Sequence, residues 1–380
     1  MKTIFILGAG ASQMAGAPLM ADFLDRAYDL LRLKTQGVIE ARKEFEDVFS
    51  AIAELQGVHS KAFLDLNNIE TVFGVIEMGL LLRRLGNRDE ASITRLRDSL
   101  ITLIYKTLEY SIEFPVRSGR IDAPKPYDGF MTTLQGIEKN QPTQDPHYFC
   151  FVTFNYDLCL DFALHRFRRP LDYCLEPDQD IGGSPLLKLH GSVNWGLSAD
   201  GRITPFEIKD VNFNFLEDQS SVNFDLGSKL HLKVVDGKPL TGPPIIVPPT
   251  WNKNSYHGQL SNVWSRAAHE LATAENIFII GYSLPETDSF FRYLYALGSE
   301  STARLRNFVV INKDNSGTVE GRFRQLIGRG IERVNKWGQI FIIDLVDLLS
   351  SSSYTVNSCR RPMMPGVSHF PQIRHCNRPL

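Results

Sequence analysis

The first apolar run, Thr3-Ile4-Phe5-Ile6-Leu7-Gly8, is short and rich in branched residues. Such a run predicts a strand buried on both faces. A loop rich in Gly, Ala and Ser follows over 8–16. Leu19, Phe23, Ala27, Leu30 and Leu31 then fall at helical spacing across 19–33. The chain thus opens as strand, glycine loop, helix. From about 41 to 114 the pattern is helical throughout, with helices expected over 41–56, 68–84 and 89–112 and no strand. Ile69, Val72, Phe73, Ile76 and Leu80 share one face of the second. Strand patterns resume at 147–154, 185–190, 244–247, 277–281 and 308–311. Helical patterns at 157–167, 261–274, 286–298 and 318–327 alternate with them.

Alternating strands and helices predict an α/β fold with a Rossmann-like, doubly wound parallel sheet. The expected organisation is one domain over 1–350. It carries a helical insertion at about 35–140 and a small β excursion at about 196–243, where Asn and Asp are frequent. Residues 339–349 suggest a last strand and short helix. The tail, 351–380, holds four Pro, four Arg, a Ser run and no acidic residue. It reads as a flexible extension or an arm docking on another subunit.

Composition narrows the function classes. Lys plus Arg total 41 against 43 for Asp plus Glu, so no overall basic field draws the chain onto nucleic acid. Nucleic acid is expected as an indirect partner only. Five cysteines without a CxxC pair disfavour a disulfide framework or a zinc ribbon, and fit a reducing cytoplasm. No apolar run reaches the roughly 18 residues of a membrane span, and the N-terminal run is too short for a signal peptide. Cys359, His369, His375 and Cys376 could be grouped as zinc ligands. Their irregular spacing favours no metal.

Four segments carry candidate chemistry. In Gly8-Ala9-Gly10-Ala11-Ser12-Gln13-Met14-Ala15-Gly16-Ala17-Pro18, small residues after a buried strand let backbone approach a diphosphate. Gly8, Ala9, Gly10, Ala11, Ser12, Gly16 and Pro18 are the binding candidates. Gln13 breaks the GxGxxG fingerprint, and no GK[ST] P-loop exists. Thr153-Phe154-Asn155-Tyr156-Asp157 ends one strand and begins a helix, where ligands of open α/β sheets bind. Asn155 and Asp157 suit ribose and carboxamide hydrogen bonds there, and equally suit helix capping. His190, in Leu189-His190-Gly191, also stands at a strand's carboxyl end, as a base or as a core histidine. Gly281-Tyr282-Ser283-Leu284-Pro285 resembles a nucleophile elbow, but Pro285 replaces its last Gly. Ser283 therefore reads as a phosphate or ribose contact. Asn312 closes a further strand.

The ordered series GAGAS, TFNYD, LHG, GYSL and IN resembles the sirtuin family across roughly residues 3–330. It is most similar to the bacterial sirtuin-like NADases of antiphage defence. There Ile69-Glu70-Thr71-Val72-Phe73, Val247-Pro248-Pro249 and the GYSLPETD run also have counterparts. Departures are informative. Leu24 stands where deacetylases carry Arg, Phe154 replaces the Gln before the catalytic-loop Asn, and the four-Cys zinc module is missing. The resemblance thus implies NAD+ as substrate and its cleavage by water rather than deacylation. It assigns catalytic roles to Asn155, His190 and Asp157. It assigns NAD contacts to Gly8–Ser12, Gly16, Pro18, Thr153, Gly281, Tyr282, Ser283 and Asn312, with no metal. It further implies a homo-oligomer, held in check by assembly or by a HerA-type hexameric ATPase partner. The competing readings are an NAD-dependent protein deacylase, a non-catalytic NAD or ADP-ribose sensor, and a nuclease subunit of a DNA-translocase complex.

Overall fold

A continuous branched run needs cover on both faces, and a position inside a parallel sheet provides it. In the computed structural model β1 (Lys2–Leu7) takes that place. The structure describes residues 1–57, 64–117, 120–140, 147–176, 182–208, 220–247, 257–286, 288–298, 305–314, 316–334 and 339–343. The other strands of the central sheet are β2 (Tyr148–Thr153), β3 (Leu171–Asp172), β4 (Ser184–Lys188), β5 (Asn276–Ile280), β6 (Asn307–Ile311) and β7 (Gln339–Ile343). All seven pair in parallel, in the order β7-β6-β5-β1-β2-β4-β3. Ile4 lies opposite both Ile277 and Cys150, and is fully buried. Phe5 stacks on Phe151 and Phe278 at 5.7 and 5.4 Å. The fold is therefore the expected doubly wound α/β sheet. Its strand order reverses at β1, so the crevice outside β1 and β5 is the topological switch point.

Besides a single turn at Gln36–Ile39, the α-helices among the described residues are α1 (Ala9–Ser12), α2 (Phe23–Arg32), α3 (Arg42–Gln56), α4 (Ile69–Leu82), α5 (Glu90–Ser111), α6 (Tyr127–Lys139), α7 (Cys159–Arg166), α8 (His257–Ala272), α9 (Ser289–Gly298) and α10 (Thr318–Val334). Asn68 caps α4 through the Glu70 amide at 2.8 Å, and Asp89 caps α5 through Ser92 at 2.9 Å.

Several expectations are corrected. The helical stretch contains short strands, because Gly86 at φ +58 turns Arg84–Leu85 back onto Arg88–Asp89. Phe114–Arg117 pairs with Arg120–Ile121 and with Ser221–Val222. Ile245–Ile246, expected as a parallel strand, pairs antiparallel with Gly191–Ser192 outside the central sheet. The edge strand β3 and helix α6 have no counterpart in the sequence reading. Residues 344–349, the tail 351–380 and its Cys/His group lie outside the described residues.

The insertion's apolar residues look, from sequence, more numerous than one interface can use. The structure consumes them internally. Phe45 and Val48 on α3 and Val72, Phe73 and Ile76 on α4 are all buried around α5, and Phe49 and Leu80 pack against the same core. Among the described residues, the exposed large apolar residues of the insertion are instead Ile39, Met78, Leu81 and Leu82.

Buried Glu109 on α5 joins the insertion to the β excursion. Its carboxylate accepts from the Ser228 amide at 3.1 Å and from the Ser228 hydroxyl. Burial pushes its pKa up from 4.5 to about 8 despite those bonds. A raised acid pKa means that the folded state holds the proton more tightly between those values. Its contribution is full below 4.5 and is lost as pH rises towards 8. Melting curves of Glu109→Gln against wild type should therefore diverge with rising pH, the variant gaining relative stability. A constant difference across that window would contradict this account.

Candidate functional site

At the switch point two loops meet backbone to backbone. The Gly8 amide donates to the Ile280 carbonyl at 3.0 Å and the Gly10 amide to Gly281 at 2.9 Å. Gly281 in turn donates to Ile311 at 2.9 Å, so the ends of β1, β5 and β6 are tied in series. Only glycine permits this closeness. A Cβ on Gly8 would lie 2.6 Å from the Tyr282 Cα, and one on Gly10 would lie 2.9 Å from the Gly281 oxygen. Gly281 adopts φ +62, and a Cβ there would collide with the Ala11 nitrogen. Gly16 serves elsewhere: at φ +99 it turns the chain against the Ser111 carbonyl at the end of α5. Pro18 is half-buried beyond that turn.

Asn155, just past β2, reaches into this clasp. Its Nδ2 donates to the Gly8 carbonyl at 3.0 Å and to Ser12 Oγ at 3.1 Å. A carbonyl only accepts, so the amide nitrogen must face Gly8, which fixes the orientation of the group. Among the described residues Asn155 Oδ1 accepts no hydrogen bond, and the residue is half-exposed. Ser12 is fully buried and also bonds the Tyr127 hydroxyl at 2.9 Å.

His190 lies just past β4, 4% exposed. Its ring meets Phe154 edge-on at 5.3 Å and lies near Tyr156 and Trp264 at 6.2 and 6.4 Å. Its carbonyl accepts from Val247 at 2.9 Å, which lays Ile245–Ile246 alongside. Tyr156 donates to the Val247 carbonyl at 3.1 Å, and Trp264 Nε1 donates to Leu189 at 3.0 Å. Phe154 stacks on Tyr282 at 4.3 Å and 13°, welding the β2 and β5 loops together. Tyr282 donates to buried Asp288 at 2.5 Å. Burial and then the Asp288 carboxylate hold its phenol well above the ordinary range.

Other sequence candidates have structural tasks. Buried Thr153 donates to the Leu7 carbonyl at 3.1 Å and accepts from the Asn155 amide. Asp157, 6% exposed, accepts from the Cys159 amide at 2.9 Å at the start of α7. Cys159 is the first residue of α7, and Leu158 holds its N-cap position, so Asp157 braces the turn leading into the helix. Ser283 is exposed, and its carbonyl accepts from Arg322. Asn312 donates to the Tyr282 carbonyl at 3.3 Å, which secures the clasp from the β6 side.

Beneath the site runs a buried polar chain that the sequence did not announce. Lys188, fully buried, donates to the Asp157 carbonyl at 2.6 Å and to Asp161 Oδ2 at 3.0 Å. Tyr173 donates to Asp161 Oδ1 at 2.6 Å and accepts from Asn194 at 3.1 Å. The loop holding Asn155 and the strand leading to His190 are thereby fixed to one another. Among the described residues no group of three or more His, Cys, Asp or Glu side chains is placed to hold a metal ion, and no helix is long and apolar enough to cross a membrane.

No family model matches the chain, and no curated protein matches its sequence. Among solved structures it is similar to a Sir2 homologue in complex with NAD, at 13% identity over 88% of this chain and 90% of that one, with a TM-score of 0.36. It is similar to a Sir2 homologue mutant bound to ADP-ribose, at 12% identity over 88% and 93%, TM-score 0.36. A third is Sir2Tm bound to a propionylated peptide, at 11% identity over 91% and 89%, TM-score 0.32. Scores of this size carry no functional weight, and the function has to be read from the site's own chemistry.

Two substitutions test the frame. Gly281→Ala should cost roughly 1–3 kcal/mol from backbone strain alone, read by urea unfolding. A loss below about 0.5 kcal/mol would mean that the clasp is not tight. Lys188→Met leaves Asp161 buried and unpaired, and should cost roughly 3–5 kcal/mol by the same measurement.

Proposed function

We propose that this protein cleaves NAD+ with water, releasing nicotinamide and ADP-ribose. The observation that carries this is the fixed Asn155 amide. It is held by Gly8 and Ser12 inside a glycine clasp at the switch point, with His190 at the adjoining strand end. The glycine clasp leaves no side chain between backbone and a diphosphate, and Ser283 and Asn312 border it. Asn155 Oδ1 is an acceptor suited to a ribose hydroxyl or a water hydrogen. The bond to be broken joins the ribose to a ring nitrogen that is already cationic, so its electron pair leaves with nicotinamide and no acid is required. A water oxygen then bonds the ribose carbon, and His190 takes the water's proton, directly or through a ribose hydroxyl. Asp157 contributes by accepting from the first amide of α7 and holding the loop.

Water as acceptor, rather than an acyl-lysine peptide, is supported by the sequence, which has no CxxC pair from which to build the peptide-docking zinc module. We assign the biological role with the same reading: an effector of antiphage defence that drains NAD+, gated by self-association or by a HerA-type ATPase. An enzyme that destroys a shared cofactor needs such control. The exposed apolar residues Met78, Leu81 and Leu82 offer the insertion a contact surface.

Purified protein should release nicotinamide from NAD+, followed by chromatography. Asn155→Ala and His190→Ala should each lower turnover by about 10²–10⁴-fold with melting temperatures preserved. His190→Ala should still bind ADP-ribose, since a base acts mainly on the transition state. Wild-type protein that releases no nicotinamide, alone or with its partner, would overturn the reading. A His190 variant with wild-type turnover would remove that residue from the mechanism.

A further inference from the structure

Tyr127 is the first residue of α6, where the chain returns from the insertion to the sheet. It is 2% exposed, and its hydroxyl lies 2.9 Å from Ser12 Oγ, 115 residues away in sequence. Nothing in the motif series points to it. Burial, followed by the Asp157 carboxylate, keeps its phenol protonated, well above its ordinary range.

The hydrogen-bond inventory around Ser12 is tightly constrained. Asn155 Nδ2 has two hydrogens, and both are used, one on the Gly8 carbonyl and one on Ser12 Oγ. Ser12 Oγ is therefore an acceptor towards Asn155. It has one further lone pair and one hydrogen to place. The Tyr127 hydroxyl lies 2.9 Å from it, and either hydroxyl can donate. A phenol is the stronger donor of the two hydroxyls. With Tyr127 donating, Ser12 accepts from Tyr127 and from Asn155, and both lone pairs of its oxygen are used. Ser12 is fully buried, so bulk solvent does not reach its hydroxyl.

We infer that Tyr127 is a positioning residue for the NAD+-cleaving site: it fixes the Ser12 hydroxyl, which fixes the Asn155 amide with Oδ1 facing the substrate. This inference rests on the reading of the site given above. Without the phenolic hydrogen, the Ser12 oxygen loses the donor that orients it, and the hydroxyl can turn off the line of the bond from Asn155 Nδ2. That breaks one of the two bonds holding the amide, and Oδ1 is no longer held against its target. The loss falls on turnover more than on binding, because the backbone clasp that embraces the diphosphate is untouched. The same contact makes the insertion's returning helix part of the site's scaffold.

Tyr127→Phe removes one oxygen and keeps the ring that fills the space. Its kcat for nicotinamide release should fall about tenfold, with KM within about twofold of wild type. Ser12→Ala should lower kcat at least as much. Adding Tyr127→Phe to Ser12→Ala should then cost less than about twofold more, since both act through one bond. A readout independent of turnover accompanies this. In protein labelled with ¹⁵N-asparagine, the Asn155 side-chain amide protons, assigned by their absence in Asn155→Ala, should exchange with solvent at least about tenfold faster in Tyr127→Phe. Unchanged kcat and unchanged exchange in Tyr127→Phe would overturn the inference. So would losses in kcat that multiply fully in the double variant, or equal damage to kcat, KM and melting temperature, which marks a purely structural tyrosine. If wild type releases no nicotinamide, the functional reading fails by that result. The exchange measurement then still decides whether Tyr127 holds the Asn155 amide.

Discussion

The backbone clasp between Gly8–Ala11 and Gly281 is the constraint on which the site depends. Two strands that are neighbours in the sheet but far apart in the chain end with their loops in direct amide-to-carbonyl contact. The contact leaves no room for Cβ atoms at three positions. Because the loops touch, the Gly8 carbonyl sits where the Asn155 amide can reach it. Because Gly281 is fixed, Tyr282 stacks on Phe154 and closes the floor between the β2 and β5 loops. A looser crossing would leave each of these side chains without its partner.

Buried polar groups give this frame its precision. In a low-dielectric interior an unsatisfied donor or acceptor is costly, so networks there admit few alternative arrangements. The chain from Lys188 through Asp161 and Tyr173 to Asn194 links β4 and α7 to the segment just after β3 and, through the Phe206 carbonyl, to the β excursion. The chain from Tyr127 through Ser12 to Asn155 and Gly8 links the insertion to the sheet. Asn155 and His190 are held from below by the first, and Asn155 from the side by the second.

The helical insertion has two faces to its role. Inside, α3 and α4 wrap α5 with residues that a sequence reading takes for surplus, and this makes the insertion an extension of the core. At its return, it delivers Tyr127 to the base of the glycine loop. Phe154, a departure from the sirtuin pattern, has a comparable dual character. It directly precedes Asn155 yet serves as a packing element between Tyr282, Phe291 and His190.

The parallel sheet and the strand-end positions of Asn155, His190 and Gly281 were legible in the sequence, because buried strands and glycine turns leave local signatures. Period, branching and small-residue runs are properties of adjacent residues. What each polar side chain does was not legible. Asn155 and Asp157 stand two residues apart with similar side chains, yet one reaches the Gly8 carbonyl while the other binds the Cys159 amide at the start of α7. Ile245–Ile246 has the apolar character of a sheet strand but pairs with Gly191–Ser192, since strand partnership is settled by long-range geometry. Leu171–Asp172 is too short to show a period at all. Tyr127 and Lys188 carried no signal, because their roles exist only through partners supplied by distant segments. Local sequence determined where backbone elements start, stop and present candidate groups. Only the tertiary structure decided which donor meets which acceptor, because hydrogen bonds act over about 3 Å in space and take no account of separation along the chain.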